Sequence, residues 1–386
     1  MPETTQVRCP IHGIGPIEPC PPEELAPLMD FLLGGEGVAE TVAFPRGTVT
    51  PDGRLDLCKQ NVGPDGCRRI TEALRETTHV RSVLLGTDGI GDTGAKSVAE
   101  LARRNTSVEV LYLGCNLIGP EGAKTLADAL SESDHITGLW LKRNPIGNVG
   151  VRALAGMLRT NRSLRTLDLV NTGFDAEGLA ALLAALREND TLERLYLGGN
   201  GLGPELAREL ASLLKSGTSV RSLFLNANRF GDGGALAFAD ALTGNREVRE
   251  LGLGSNGIGE RGGSALFEVA ADHPSLTALD LGYSRSTAAL GSQANAVGDR
   301  GATHAAEMLR HNRALRRLDL LRNGIGPVGR AALAEALIVN DTLCELKLDG
   351  PAPVLLRRSL ERNRAMSPGY GGVIPDLALI RSVYRG

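Results

Sequence analysis

Leucines recur along this chain at a fixed interval of 28 residues. Nine of them follow one another without a break: Leu57, Leu85, Leu113, Leu141, Leu169, Leu197, Leu225, Leu253 and Leu281. After one longer step of 39 residues, the series resumes at Leu320 and Leu348. A period of this length is typical of a solenoid, in which each unit buries its apolar side only against its neighbours. We therefore expect function on the faces and ends of a repeat array.

The third repeat shows the predicted structure of one unit most clearly. Leu111 and Leu113 alternate as in a short strand that turns both leucines to one side. Asn116 follows in a turn, where asparagine side chains bond to backbone groups. A helix with one apolar stripe comes next, formed by Ala123, Leu126, Ala127 and Leu130. Stacked units of this kind give a parallel sheet that bulkier helices curve, and we call the sheet face turned away from the helices the concave face.

The turn pattern of this unit resembles a known family. Residues 111–122 read L-x-L-x-x-N-x-I-G-x-x-G and precede a helix of small residues, which is similar to the ribonuclease-inhibitor type of leucine-rich repeat. That type also occurs in NOD-like receptors and in the GTPase-activating protein of Ran. The resemblance covers about residues 51–349. It implies an α/β solenoid (horseshoe) of about eleven 28-residue repeats, with parallel strands on the concave face and helices on the convex face.

The period divides the chain into three regions. Residues 1–50 lack it and are rich in proline and glycine, so we interpret them as an N-terminal cap. The array occupies residues 51–349, and the step of 39 places an insertion at residues 284–294. Residues 350–386 are predicted to form a C-terminal cap. Caps are expected because an uncovered end unit exposes its leucines and its sheet edge.

Composition limits the classes of function. The net charge of −3 and the pI near 6.1 argue against nucleic acid as the main partner. The N-terminal residues lack the layout of a signal peptide, and no apolar stretch is long enough to cross a membrane. Six cysteines without paired spacing fit a reducing compartment. These features predict a cytoplasmic protein.

Enzyme-like strings in the chain follow from the repeat. Residues 252–257 match G-x-G-x-x-G, but they occupy the strand and turn of the eighth unit and lack the layout of a dinucleotide site. No signature of the G-x-S-x-G kind occurs. The chain is therefore predicted to be non-enzymatic.

One group of residues could bind a metal. Cys9, His12 and Cys20 lie in a proline-rich stretch, and Cys58 follows in the first repeat. Thiolates and imidazoles are zinc ligands, and a structural zinc there would stabilise the cap. The alternative is a set of ordinary thiols packed in the cap, with no cofactor at all.

A column of aromatic residues is predicted on the concave face. The residue between the two leucines of each strand points away from the core, and in five consecutive units this position holds Tyr112, Trp140, Asp168, Tyr196 and Phe224. Cationic residues flank the column at Lys142, Arg143 and Arg194. Tyrosine and tryptophan dominate binding hot spots, so the column is predicted to bind a partner. The alternative is that the rings only stack across neighbouring strands.

Three functions follow from these features. The first is a non-enzymatic scaffold that binds a protein partner on the concave aromatic patch. The second is a regulator of an enzyme, for example of the GTPase-activating type, that acts through loops at the strand ends. The third is a small-ligand sensor in which Lys142 and Arg143 meet an anion. The insertion, with little to pack, is predicted to be a mobile protrusion that contacts the partner through Arg285, or else a neutral loop.

Overall fold

The computed structural model describes residues 17–367, 369–372 and 374–384. The chain forms two compact units. Unit 1 contains residues up to Arg194 together with the C-terminal residues from 373, and unit 2 contains Leu195–Gly372. Within the described residues, no helix is long and apolar enough to cross a membrane.

Unit 1 alternates short strands with helices. Its strands are β1 (Val42–Ala43), β2 (Thr48–Val49), β3 (Arg54–Asp56), β4 (Ser82–Leu84), β5 (Val110–Tyr112), β6 (Gly138–Trp140) and β7 (Thr166–Asp168). Its first six helices are α1 (Pro22–Gly34), α2 (Gly63–Ala73), α3 (Gly91–Arg104), α4 (Pro120–Leu130), α5 (Gly147–Thr160) and α6 (Ala176–Leu186). Strand β8 (Arg194–Tyr196) begins at the last residue of this part of the chain.

Unit 2 has the same alternation. Its strands are β9 (Ser222–Phe224), β10 (Glu250–Gly252), β11 (Ala278–Asp280), β12 (Arg317–Asp319) and β13 (Glu345–Lys347). Its helices are α7 (Pro204–Ser216), α8 (Gly231–Gly244), α9 (Glu260–Ala271), α10 (Gly298–His311), α11 (Pro327–Val339) and α12 (Val354–Ala365). A last short helix, α13 (Pro375–Ala378), belongs to unit 1.

The strands pair in the register that the leucine period predicts. In unit 1, Leu111 of β5 lies opposite Val83 and Leu139 of the two parallel neighbours. Strands β9 to β13 of unit 2 are likewise parallel and follow chain order. Leu111 and Leu113 are fully buried. The predicted leucine-rich repeat solenoid is confirmed, and the antiparallel strands β1 and β2 precede β3 as an addition that the period does not reveal.

Buried asparagines connect neighbouring repeats. The side-chain NH₂ of Asn116 donates to the Leu85 carbonyl, while its oxygen accepts the Asp88 N–H at 2.9 Å. Asn144 repeats this one unit later, donating to the Leu113 carbonyl at 2.8 Å and accepting the Asn116 N–H at 2.8 Å. An amide suits this position because it donates and accepts at once. Each turn is thereby bonded to the turn of the preceding repeat.

A second set of asparagines ends the helices. Asn161 follows α5, donates to the Leu130 carbonyl at 2.7 Å and accepts the Leu164 N–H at 2.8 Å. The same kinds of bond are made at other helix ends by Asn105, Asn189, Asn245, Asn312 and Asn340. These residues satisfy backbone groups that a helix end leaves unpaired.

The two ends of the array carry helices. At the first end, Leu25, Leu28 and Leu32 of α1 are buried, whereas Leu33 is exposed. At the other end, the amide of Asn363 in α12 donates to the Asn340 carbonyl at 3.0 Å. The residues predicted as one C-terminal cap divide between the units, since 350–372 lie in unit 2 and 374–384 in unit 1.

The insertion is packed onto the array. The Thr287 hydroxyl donates to Ser255 Oγ at 2.7 Å, and Thr287 and Leu290 are buried. The expectation that these residues have little to pack is therefore wrong, because Thr287 bonds to the neighbouring turn and Leu290 is buried. Arg285 is exposed. Asn295 takes the asparagine position of this repeat and accepts the Asn256 N–H at 2.9 Å.

Candidate functional site

Tyr112 and Trp140 lie side by side on the concave face of unit 1. They are register partners in β5 and β6. A Cβ atom placed on Gly138 would lie 2.4 Å from the Trp140 ring, and one on Gly86 would lie 2.6 Å from the Tyr112 ring. Both rings therefore lean over a glycine along the sheet surface. Glycine at these two positions leaves room that any side chain would fill.

The C-terminal segment, residues 374–384, covers these rings. Tyr112 and Trp140 are only 3% and 2% exposed, and they form a buried cluster with Leu379. Around this cluster pack three partly buried side chains, Leu377, Ile380 and Tyr384. The predicted exposure of Tyr112 and Trp140 is wrong, because the chain itself supplies an apolar cover. Their predicted position on the concave face holds.

The first half of the segment is fixed by hydroxyl groups. The Asp376 carboxylate accepts hydrogen bonds from the Thr137 hydroxyl at 3.0 Å and the Thr166 hydroxyl at 3.1 Å. Ser82 Oγ donates to the Leu379 carbonyl at 2.6 Å. These bonds position α13 so that the following leucine enters the aromatic cluster.

Asp56 fixes the second half. Its carboxylate accepts the Val383 N–H at 2.7 Å and the Ser382 hydroxyl at 3.1 Å, and Asp56 itself is buried. Beside it, the hydroxyl groups of Tyr384 and Thr48 are 2.5 Å apart. The site thus accepts a carboxylate at one end and offers a carboxylate at the other.

None of these polar anchors was predicted as a site residue. Ser82 and Thr166 stand two residues before the aromatic column position, so the alternation of the strands does place them on the concave face. Nothing in the local sequence shows that a segment more than 200 residues away bonds to them.

Charged residues lie around the same face. The Lys142 ammonium is 5.3 Å from the centre of the Tyr112 ring, a cation–π distance. Burial raises the pKa of the Asp168 carboxyl, and the positive charges of Lys142 and Arg143 oppose that rise. Arg194 is buried at the start of β8. The predicted cations Lys142 and Arg143 are both half-buried.

The aromatic pair of unit 2 is arranged differently. The rings of Tyr196 and Phe224 stack with their centres 4.4 Å apart and their planes 10° apart. Both side chains are half-buried. Nearby, the Asn226 amide donates to the Asp280 carboxylate at 2.6 Å. Stacking across strands, one of the two interpretations drawn from the sequence, therefore occurs here, and partner binding by these rings stays a prediction.

The predicted zinc ligands are only partly described. Cys9 and His12 lie outside the described residues. Cys20 and Cys58 are buried, and burial raises the pKa of the Cys20 thiol. Cys58 contributes to the cluster around Trp140. In the described part of the chain, no three His, Cys, Asp or Glu side chains are grouped as a metal site requires. Zinc binding stays a prediction.

Comparison with known proteins supports the fold. The family described as "Leucine Rich repeat" matches residues 104–127, 160–183, 244–267 and 311–334. No curated protein sequence matches the chain. The chain has the leucine-rich repeat fold, and its similarity to the ribonuclease-inhibitor subtype stays a prediction.

Three solved structures resemble parts of the chain. "Leiomodin-1 Actin-Binding Site 2" is 19% identical over 48% of this chain and 88% of its own, with a TM-score of 0.33. The tropomodulin C-terminal domain of Caenorhabditis elegans is 18% identical over 43% and 93%, with a TM-score of 0.34. The Rad7–Elc1 complex of yeast is 15% identical over 74% and 66%, with a TM-score of 0.49. At such low identity and overlap, none of them assigns a function to this chain.

Proposed function

We propose that this protein is a non-enzymatic scaffold that binds protein partners on its concave face. One observation carries the proposal. A polypeptide segment, residues 374–384, is already bound to the concave face of unit 1 through both apolar and polar contacts. A surface that holds a peptide of its own chain has the shape and chemistry to hold one from another protein.

The predicted partner-binding residues take separate roles in this proposal. Tyr112 and Trp140 form the apolar floor of the site, and Lys142, Arg143 and Asp168 form its charged margin. In unit 2, Tyr196 and Phe224 offer a half-buried aromatic surface. Arg194 and Arg285 are the remaining predicted contacts. Large aromatic side chains in this setting are commonly worth about 2–4 kcal/mol of binding energy each.

A cytoplasmic location belongs to the same proposal. The described cysteines, Cys20, Cys58, Cys67, Cys115 and Cys344, are all buried thiols without disulfides. Thiols persist in a reducing compartment.

The test is capture of partners from native lysate by tagged full-length protein. The variant Trp140→Ala/Tyr196→Ala should lose the proteins that the wild type retains, because it removes one ring from each aromatic surface. The matched control is Ile338→Ala, which truncates an exposed apolar side chain on α11. Circular dichroism checks that all three proteins are folded. If the double variant retains the same proteins as the control, the concave face is not the binding surface.

A further inference from the structure

We infer that residues 374–384 are an internal ligand that a partner displaces, so that the partner carries a segment of the same chemistry. This inference rests on the proposed scaffold function. The recognised features are an acidic residue in the first turn of a short helix, aliphatic residues one, three and four positions later, and hydroxyl groups near the end. In this chain they are Asp376, Leu377, Leu379, Ile380, Ser382 and Tyr384.

The segment is bound in a way that permits release. In the described residues it forms one four-residue helix and adds no strand to the sheet. Its polar contacts combine the hydroxyl groups of Thr137, Thr166 and Ser82 with two charged side chains, Asp56 and Arg54. Water can replace each of these partners once the segment uncovers the face, which limits the net loss of hydrogen bonding.

The chain before the segment also suits release. Gly369 and Gly371 have φ angles of 88° and 85°, in the left-handed region that glycine adopts most readily. Residues 369–372 include three glycines, so the backbone there has many accessible conformations, while the Tyr370 hydroxyl anchors the stretch to the Glu345 carboxylate at 3.1 Å. A tethered segment competes at an effective concentration on the order of millimolar. It therefore lowers the apparent affinity of every outside partner.

The concave surface beneath the segment is apolar. Without the segment, Leu84, Tyr112 and Trp140 would be exposed together, and contiguous apolar patches of this sort mark interaction sites. The polar anchors then select the orientation of whatever binds. Thr137 and Thr166 donate to a carboxylate, whereas Asp56 requires donors and repels an acid. A partner segment should therefore be acidic at its helical end and neutral or basic at the other.

The experiment releases the segment in the full-length chain. Leu379→Asp places a carboxylate in the aromatic cluster and should undock residues 374–384. Trp140 is the only tryptophan of the chain, so its emission should shift to the red when the cover leaves. The matched control is Leu355→Asp, the same change at an exposed position of α12, and its emission should equal that of the wild type.

The second measurement uses a labelled synthetic peptide with the sequence of residues 374–384. It should bind Leu379→Asp at least about tenfold more tightly than it binds the wild type or the control, because only the released face is vacant. A peptide with alanine in place of Asp376 and Leu379 should bind more weakly. As a milder release, Asp376→Asn in the full-length chain should also tighten binding of the unmodified peptide. This second variant keeps the test valid if Leu379→Asp fails to fold.

Two results would overturn the inference. One is equal peptide affinity for the wild type, Asp376→Asn and Leu379→Asp, which would mean that the segment does not compete for the site. The other is a red-shifted emission without any peptide binding, which would make the segment a structural cover only. Either result leaves the scaffold function to be decided by the capture experiment, in which peptide exchange plays no part.

Discussion

At the scale of the residue, Asp88 shows what a single atom changes in the repeat. It occupies the position of Asn116 and Asn144, and its Oδ1 accepts the Gln60 N–H at 2.9 Å. A carboxylate has no NH₂ group, so it cannot donate to the Leu57 carbonyl as the asparagines donate one repeat earlier. Its Oδ2 atom is buried and has no hydrogen-bond partner in the described part of the protein. Burial raises the pKa of this carboxyl well above its usual range.

Asp88→Asn should stabilise the protein. The free energy of unfolding at pH 7 is expected to rise by about 1–3 kcal/mol, because the variant removes a buried acceptor that lacks a partner. The folded pKa is raised, so the folded wild type holds its proton to higher pH than the unfolded chain does. Wild-type stability therefore falls as the pH rises above the usual aspartate pKa, and the gain in the variant shrinks in acid. Urea titrations across pH measure this. The exposed Asp128→Asn should change stability little, and an equal effect at both positions would contradict the argument.

The same scale shows why the site was only half predictable. Alternation along the strands places Tyr112 and Trp140 on the concave face correctly, since period two is a local property. Their burial depends on a segment that the local pattern does not contain. The bond between Thr137 and Asp376 joins residues 239 positions apart. No spacing within the repeat could have revealed that contact.

At the scale of the element, the local sequence predicts the helices and strands better than it predicts the burial of Tyr112 and Trp140. Strand, turn and helix recur because leucines, asparagines and small residues recur with them, so eleven strands could be placed from sequence. The asparagines that end the helices also recur at the repeat interval, as Asn161 and Asn189 do, but the leucine pattern alone does not point to them. The small and polar composition of the insertion does not predict its packing, because that packing depends mainly on two residues, Thr287 and Leu290.

Leu290→Ala should therefore destabilise the protein. Truncating a buried leucine typically costs about 2–5 kcal/mol, and we expect the lower end because Leu290 is still 8% exposed. Thermal or urea unfolding measures the change. Arg285→Ala, in the same insertion but exposed, should leave the stability within about 0.5 kcal/mol of the wild type. Equal stability of Leu290→Ala and the wild type would restore the view of a loosely attached loop.

The predicted zinc site belongs to the N-terminal cap and the first repeat. If Cys9, His12 and Cys20 bind zinc with Cys58, protein purified without chelators should contain about one equivalent of zinc, and chelation should destabilise the first repeats. Elemental analysis of the wild type and of Cys9→Ser decides this. Absence of zinc from both proteins would leave ordinary thiols.

At the scale of the whole molecule, unit 1 is assembled from two distant parts of the chain. Residues 17–194 build its sheet and first six helices, and residues 374–384 cover its concave face. A repeat array gains stability chiefly from contacts between neighbours, which lie close in sequence. The cover adds contacts between residues more than 200 positions apart, so the stability of unit 1 depends on a segment that follows unit 2 in the chain.

Hydrogen exchange should reveal this dependence. In full-length Leu379→Asp, amides of β3 to β7 should exchange at least about tenfold faster than in the wild type, because the cover no longer contributes to the stability of unit 1. Tenfold corresponds to about 1.4 kcal/mol. Amides of β9 to β13 should keep their wild-type rates, since none of these strands contributes to the cluster around Leu379. Leu355→Asp, the matched change on α12, should not accelerate exchange in β3 to β7. Uniform acceleration in both units, or none in β3 to β7, would show that the C-terminal segment does not stabilise unit 1 in this way.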